Sequence, residues 1–179
     1  LTSTQLGYTV TTSGTTLLQA LTQTQLQSLT RDQLAGLTQN QLNGLPAAYL
    51  TSTQLGYEAK WAGSSAACLL LAVLTENQTQ NITRAQFAGL AQRQINALHA
   101  EYLTADQLQK PINDGKTVLQ ALVADQIQKL DESAVCTLVS AQLQSMSKAQ
   151  LQALNAAYLT DNQLKYDATG NREALFTLL

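Results

Sequence analysis

Leucine returns along this chain in alternating steps of five and three. Leu21, Leu26, Leu29, Leu34, Leu37, Leu42 and Leu45 mark the clearest run, "LTQTQLQSLTRDQLAGLTQNQLNGL", with polar or small residues between them. The unit is an octad, Leu-Thr-x-x-Gln-Leu-x-x. Related apolar positions recur at Leu74, Ile82, Leu90 and Leu98, and at Leu122, Leu130, Leu138, Met146 and Leu154. In one continuous helix, eight residues at ~100° each overshoot two full turns by about 80°, so the leucines would spiral instead of lining a face. The alternation of β-branched residues that marks a strand is missing. The octad therefore predicts a separate short helix of about one and a half turns, closed by a sharp bend.

The polar positions support this reading. Thr22 and Gln25 have the spacing of a capping box: the Thr hydroxyl accepts from the N–H three residues on, and the Gln side chain returns to the Thr N–H. Leu21 and Leu26 stand where a hydrophobic staple fixes how the chain enters a helix. The same set is expected at Thr2/Gln5, Thr30/Gln33, Thr38/Gln41, Thr51/Gln54, Thr83/Gln86, Thr104/Gln107, Ser147/Gln150 and Thr160/Gln163. Thr75/Gln78 keeps the box but has Thr79 in place of the staple leucine. Ala91, Val123 and Val139 replace the capping Thr, which predicts weaker starts or helices that run on. Asp131 can cap, but Ala134 cannot return the bond. Helices this short do not survive alone, because nucleation costs more than the first turn returns. Neighbouring octads must bury leucine together.

A longer repeat encloses the octads. "LTSTQLGY" opens at Leu1 and recurs intact at Leu50, with cousins at Leu103 and Leu159. Each is followed by a segment carrying a glycine (Gly14, Gly63, Gly115, Gly170). Next comes an apolar helix-like stretch, such as "SAACLLLAVL", and then the octads. Complete units close with "LPAAY", "LHAEY" or "LNAAY". The array divides into units 1–49, 50–102 and 103–158, of 49, 53 and 56 residues, with a partial fourth at 159–179. Fixed-period repetition predicts an all-α solenoid of short capped helices in one continuous array. Because the chain opens inside a repeat, it is expected to be a piece of a longer protein.

Composition narrows the partners. Of the 179 residues, 45% are hydrophobic and only 12% charged, with a net charge of −2. Lysine and arginine are scattered singly, so the basic patch that nucleic-acid binding requires is not expected. The longest apolar run, Ala66 to Leu74, is far short of the ~20 residues of a spanning helix. No catalytic set, cofactor site or metal site is expected. The one histidine, His99, occupies a position held by Pro46 and Asn155 in other units and reads as a turn or a helix entry. Cys68 and Cys136 have no partner at metal-ligand spacing and read as small hydrophobes. "NDG" at Asn113–Gly115 and "DATGN" at Asp167–Asn171 read as turns.

Aromatic side chains are the remaining candidates for contact. Tyr49, Tyr102 and Tyr158 are equivalent by repeat position, and Tyr8, Tyr57 and Tyr166 form a second family that Lys110 interrupts. Stacking would bring equivalents into register, either as packing wedges or as a binding ladder. Trp61 lies in the insertion before Gly63, where it would be either an exposed contact residue or a cover for the adjacent apolar stretch.

The "LTxxQLxxL" octads resemble the Thr-x-x-Gln-Leu repeats of large bacterial surface, secreted or effector-like proteins. The resemblance implies a non-catalytic array within a bigger protein that is secreted, displayed or delivered to a host. It transfers no site residues. Together these readings predict an interaction scaffold for a protein or glycan partner, with a passive spacer as the alternative.

Overall fold

The computed structural model describes residues 1–8 and 16–165. The chain is mostly helical, and it divides into two compact units, Leu1–Leu90 and Ala91–Leu179. The first contains α1 (Ser3–Leu6), α2 (Leu17–Ala20), α3 (Gln23–Gln27), α4 (Arg31–Ala35), α5 (Gln39–Asn43), α6 (Ser52–Leu55), α7 (Glu76–Gln80) and α8 (Arg84–Ala88). The second contains α9 (Gln92–Ile95), α10 (Ala105–Leu108), α11 (Val118–Ala121), α12 (Ala124–Ile127), α13 (Glu132–Val135), α14 (Ser140–Ser145), α15 (Lys148–Ala153) and α16 (Asp161–Leu164). The only strands among the described residues are β1 (Glu58–Ala59) and β2 (Cys68–Leu69), which pair antiparallel.

The capping boxes start the helices as the octads predict. Where a Thr or Ser holds the N-cap, its backbone is extended and its hydroxyl accepts from the Gln N–H three residues on, as Thr22 does for Gln25 at 3.3 Å and Thr83 for Gln86 at 3.3 Å. The Gln Oε1 returns to the cap N–H at 2.8 Å for Thr22, 2.8 Å for Thr30, 2.7 Å for Thr38, 2.7 Å for Thr83 and 2.7 Å for Ser147. In these boxes the return bond is the shorter of the two. That explains how α9, α12 and α14 begin without a capping hydroxyl. The N–H groups of Ala91, Val123 and Val139 still donate to Gln94, Gln126 and Gln142, at 2.8, 3.2 and 2.8 Å. These helices are separate starts and do not run on from their predecessors. Asp131 caps α13 alone, accepting from the Ala134 N–H at 2.7 Å.

Val123 and Val139 stand 45% and 52% exposed at positions where a hydroxyl would cap. Replacing either with Thr exchanges an exposed methyl for the missing acceptor. Each of Val123→Thr and Val139→Thr is expected to stabilise the chain by about 1 kcal/mol, read as a rise in melting temperature. An unchanged or lower melting temperature for both would show that the hydroxyl half of the box contributes nothing here.

The octad leucines form the core. Leu26 and Leu34 are fully buried, and Leu29, Leu37, Leu42 and Leu45 are at most 5% exposed. Thr79, in the staple position of α7, is buried too. The helices approach closely where glycine ends a segment. A Cβ on Gly36 would collide with the Ser3 side chain, and one on Gly89 with that of Ser52.

The segments that carry Gly63 and Gly115 are small hairpins. Tyr57 O accepts from Leu70 N at 2.9 Å beside the β1–β2 pair, and Lys110 O accepts from Val118 N at 2.9 Å beside a Pro111–Thr117 bridge. Gly115, at φ 83°, takes the left-handed turn position that Asn113–Gly115 was expected to supply. The apolar stretch "SAACLLLAVL" departs from its helical expectation. It forms β2 and then a 3₁₀ turn, Leu70–Val73, because pairing with β1 takes its first residues into an extended conformation.

Candidate functional site

The capping glutamines have a second function that their local sequence does not announce. In six of them Oε1 closes the box while Nε2 donates to two or more backbone carbonyls of a segment remote in sequence. Gln54 reaches Leu26 O and Leu29 O at 2.8 and 3.0 Å, and Gln78 reaches Leu42 O and Leu45 O at 2.6 and 3.0 Å. Gln86 reaches Ala47 O and Leu50 O at 2.7 and 2.6 Å. In the second unit Gln126 reaches Ile95 O and Leu98 O at 2.9 and 3.1 Å, and Gln163 reaches Val135 O and Leu138 O at 2.8 and 2.8 Å. Gln150 reaches Leu119 O, Gln120 O and Leu122 O at 3.1, 3.2 and 2.7 Å. All six side chains are buried.

The acceptors lie where a helix or 3₁₀ turn ends and its own ladder of bonds runs out; some also accept a 3₁₀-type bond, as Leu26 O does from Leu29 N at 3.1 Å. One amide side chain thus satisfies the start of its own helix and the end of another. Glutamate closes a capping box as well as glutamine does, but it has no N–H to give. Among the described residues, fifteen of the sixteen helices carry Gln at this third position and none carries Glu. That bias was the available signal in the sequence.

The joints span 25 to 39 residues. The sequence units are longer, at 49 to 56 residues, so the spacing of these joints does not follow the longer repeat. Among the described residues within either unit no tyrosine ring packs on another. Tyr49, Tyr102 and Tyr158 each end a 3₁₀ turn (Ala47–Tyr49, Ala100–Tyr102, Ala156–Tyr158) that starts after Pro46, His99 or Asn155. The Tyr8, Tyr57 and Lys110 position has a backbone role: Tyr8 O accepts from Leu17 N at 2.7 Å, just as Tyr57 and Lys110 close their hairpins. A carbonyl can do this from any side chain, which accounts for the lysine. Tyr166 lies outside the described residues, as do Gly14, Gly170 and the Asp167–Asn171 turn.

Trp61 is not an exposed loop residue. It is 1% exposed, its Nε1–H donates to Cys68 O at 2.7 Å, and its 3₁₀ turn, Trp61–Gly63, lies against α4 and α5. The following residue, Ala62, takes a left-handed φ of 50°. The ring's large apolar area, combined with one donor that finds a carbonyl, favours the interior.

Two clefts in the first unit present tyrosine beside amide and hydroxyl groups. One, of about 330 Å³, is lined by Pro46 and Tyr49 on one wall and by Thr75, Asn77 and Asn81 on the other. Tyr49 is 43% exposed. Asn81 Nδ2 donates to Asn77 O and Asn77 Oδ1, at 2.7 and 2.6 Å, which fixes that wall. The other cleft, of about 390 Å³, places Tyr8, Ser3 and Thr4 opposite Gly36, Thr38 and Gln41.

Titratable groups are dispersed. His99 Nδ1 lies 3.1 Å from Glu101 Oε1, and the His99 and Tyr102 rings are 5.1 Å apart. Partial burial raises the Glu101 pKa, but its own N–H, His99 and Lys129 outweigh this and leave the carboxyl below its ordinary range. Both cysteines are free and half-buried. Burial, reinforced by Glu58, raises the Cys68 thiol, which keeps it protonated. Among the described residues no cluster of three His, Cys, Asp or Glu could hold a metal, and no helix is long and apolar enough to cross a membrane.

No family model matches the chain, and neither a curated protein nor a solved structure matches it.

Proposed function

We propose that each unit is a stack of short-helix coils, a piece of solenoid, and that the chain serves as a non-catalytic interaction scaffold within a larger secreted or surface protein of bacterial type. The glutamine joint carries this reading. It repeats one linkage between segments 25 to 39 residues apart, and so builds a regular frame from sequence that no single helix could stabilise. Such frames offer extended surfaces to partners. The cleft formed by Pro46, Tyr49, Asn77 and Asn81 has the aromatic-and-amide character that suits a polar protein segment or a glycan. The near-neutral surface makes nucleic acid an unsuitable partner.

Tyr49 is the position to test. It ends a 3₁₀ turn at the surface, so Tyr49→Ala should leave the melting temperature close to that of the wild type. A partner or glycan selected on the wild-type chain should bind Tyr49→Ala at least tenfold more weakly. Undiminished binding would remove the cleft from the proposal. A chain that selects no ligand from protein and glycan arrays would favour the passive spacer.

A further inference from the structure

The cleft beside Tyr49 lies wholly within Leu1–Leu90, and a glutamine joint ties its walls together. Gln78, on the α7 wall, donates through Nε2 to Leu42 O and Leu45 O at the end of α5, at 2.6 and 3.0 Å. The amides on the rim are oriented as well. Gln39 Nε2 donates to Asn43 Oδ1 at 2.8 Å, and Asn81 Nδ2 donates to Asn77 Oδ1 at 2.6 Å. Each bond occupies an oxygen, so the Nδ2 groups of Asn43 and Asn77 have no acceptor among the described residues. Asn81 Oδ1 likewise accepts nothing there. All three amides are exposed. The cleft thus offers two N–H₂ donors and one acceptor beside the exposed Tyr49 ring, and no charged side chain lines it.

These groups select among ligands. A carboxylate or sulfate only accepts, and it would face Asn81 Oδ1 with no cation to neutralise it. An ammonium only donates, and it would face both Nδ2 groups. A hydroxyl does both, so neighbouring hydroxyls can accept from the two Nδ2 groups and donate to Asn81 Oδ1. An extended peptide gains affinity from an open strand edge and specificity from pockets for alternate side chains. No lining residue belongs to a strand, and the aliphatic lining residues Leu45 and Ala47 are already buried, at 3% and 2% exposed. A sugar ring fits better, because its C–H face lies flat on an aromatic ring while its hydroxyls reach the rim.

We infer that this cleft binds an uncharged hexopyranose residue of a glycan, with the sugar's C–H face on the Tyr49 ring and its hydroxyls on Asn43 Nδ2, Asn77 Nδ2 and Asn81 Oδ1. The inference rests on the reading of the cleft as a contact surface and narrows its partner to neutral carbohydrate. The Gln78 joint and the rim hydrogen bonds hold the site in shape before the ligand arrives, which spares part of the ordering cost of binding. One ring face and three hydrogen bonds are still a small contact, so the dissociation constant for a single sugar is on the order of 1 mM.

Proton–nitrogen correlation spectra of the full chain test this by following the side-chain N–H₂ signals of Asn43 and Asn77. The probes are the methyl glycosides of glucose, galactose, mannose and N-acetylglucosamine, added up to about 50 mM, a range that covers weak dissociation constants. At least one of them should shift both signals saturably. The uronic acid and the amino sugar of the same ring should bind at least tenfold more weakly. Tyr49→Ala should weaken the neutral glycoside at least tenfold. Asn77→Asp keeps the oxygen that holds Asn81 but removes a donor and adds a charge, and should weaken it at least fivefold with an unchanged melting temperature. Asn40→Asp makes the same change at the matching position of α5, outside this cleft, and should bind like the wild type. Cleft signals that no neutral glycoside moves overturn the inference, as does equal binding of the charged sugars or equal weakening by Asn77→Asp and Asn40→Asp. A protein ligand that is lost in Tyr49→Ala, while the sugars leave the cleft signals unmoved, would overturn it and leave the interaction scaffold standing.

Discussion

Replacing Gln86 with glutamate is expected to destabilise the chain by about 3–5 kcal/mol at neutral pH, whereas the same change at Gln25 is expected to stay within about 0.5 kcal/mol of the wild type. Both residues hold the third position of a capping box, and glutamate serves there as well as glutamine. The difference lies in Nε2. In Gln86 it donates to Ala47 O and Leu50 O at 2.7 and 2.6 Å in a site only 6% exposed. A carboxylate in its place would face two carbonyl oxygens with no proton to offer and little water to screen it. Gln25 is exposed, and its Nε2 has no acceptor among the described residues, so glutamate there meets only solvent and a favourable helix start. Urea unfolding of the two variants checks the contrast. Equal stabilities would mean that the joints contribute nothing and that the capping box alone explains the glutamines.

The pH dependence gives a second signature. In the folded Gln86→Glu variant the two carbonyls penalise the ionised form of the introduced carboxyl, so its folded pKa lies above the unfolded value of about 4.3. The folded state then binds the proton more tightly, and stability falls as pH rises from the unfolded pKa toward the folded one. Gln86→Glu should therefore lie closest to wild type below about pH 4 and lose ground above it. The Glu101 carboxyl of the wild type has the opposite sign. Its pKa is lowered, so its small contribution is present above its unfolded pKa and fades as pH falls through the folded value. A Gln86→Glu deficit that grows on acidification would contradict the joint.

Much of this architecture is local chemistry, and for that reason it is legible in sequence. Thr22 and Gln25 cap each other across three residues without help from elsewhere, and Leu21 and Leu26 bury because the helix they start turns them the same way. His99, like Pro46 and Asn155 at the same position of other units, stands at the start of a 3₁₀ turn. The readings that changed depend on residues far apart in the chain. Gln54 looks like any capping glutamine until Leu26 and Leu29 come to lie beneath its Nε2. Only the consistent choice of Gln over Glu signals that a donor is needed. The longer repeat is marked by the hairpins, whereas the joints are set by which helix ends lie within reach of a side chain.

Trp61 was the residue whose surroundings the sequence left most open, and its burial makes Trp61→Ala the second large effect. Truncation removes a fully buried indole packed over α4 and α5, and with it the donor to Cys68 O, so a loss of about 3–5 kcal/mol is expected. Trp61→Phe keeps most of the apolar volume and loses the hydrogen bond, so it should cost about 1–2 kcal/mol. The chain has one tryptophan, so the native state reports on this site alone. Its emission should be blue-shifted, poorly quenched by iodide, and should move to longer wavelength on unfolding. Emission already at the wavelength of free tryptophan would place the ring in water and return Trp61 to the surface. The buried ring also changes how a binding defect at this position is interpreted. Trp61→Ala would weaken any interaction of the first unit by unfolding the hairpin that carries it, so a lost partner would not identify a contact. Tyr49→Ala, at a surface 3₁₀ turn, separates the two effects: if it abolishes binding while the Trp61 emission stays native, the contact lies at the cleft and not in the core beneath the hairpin.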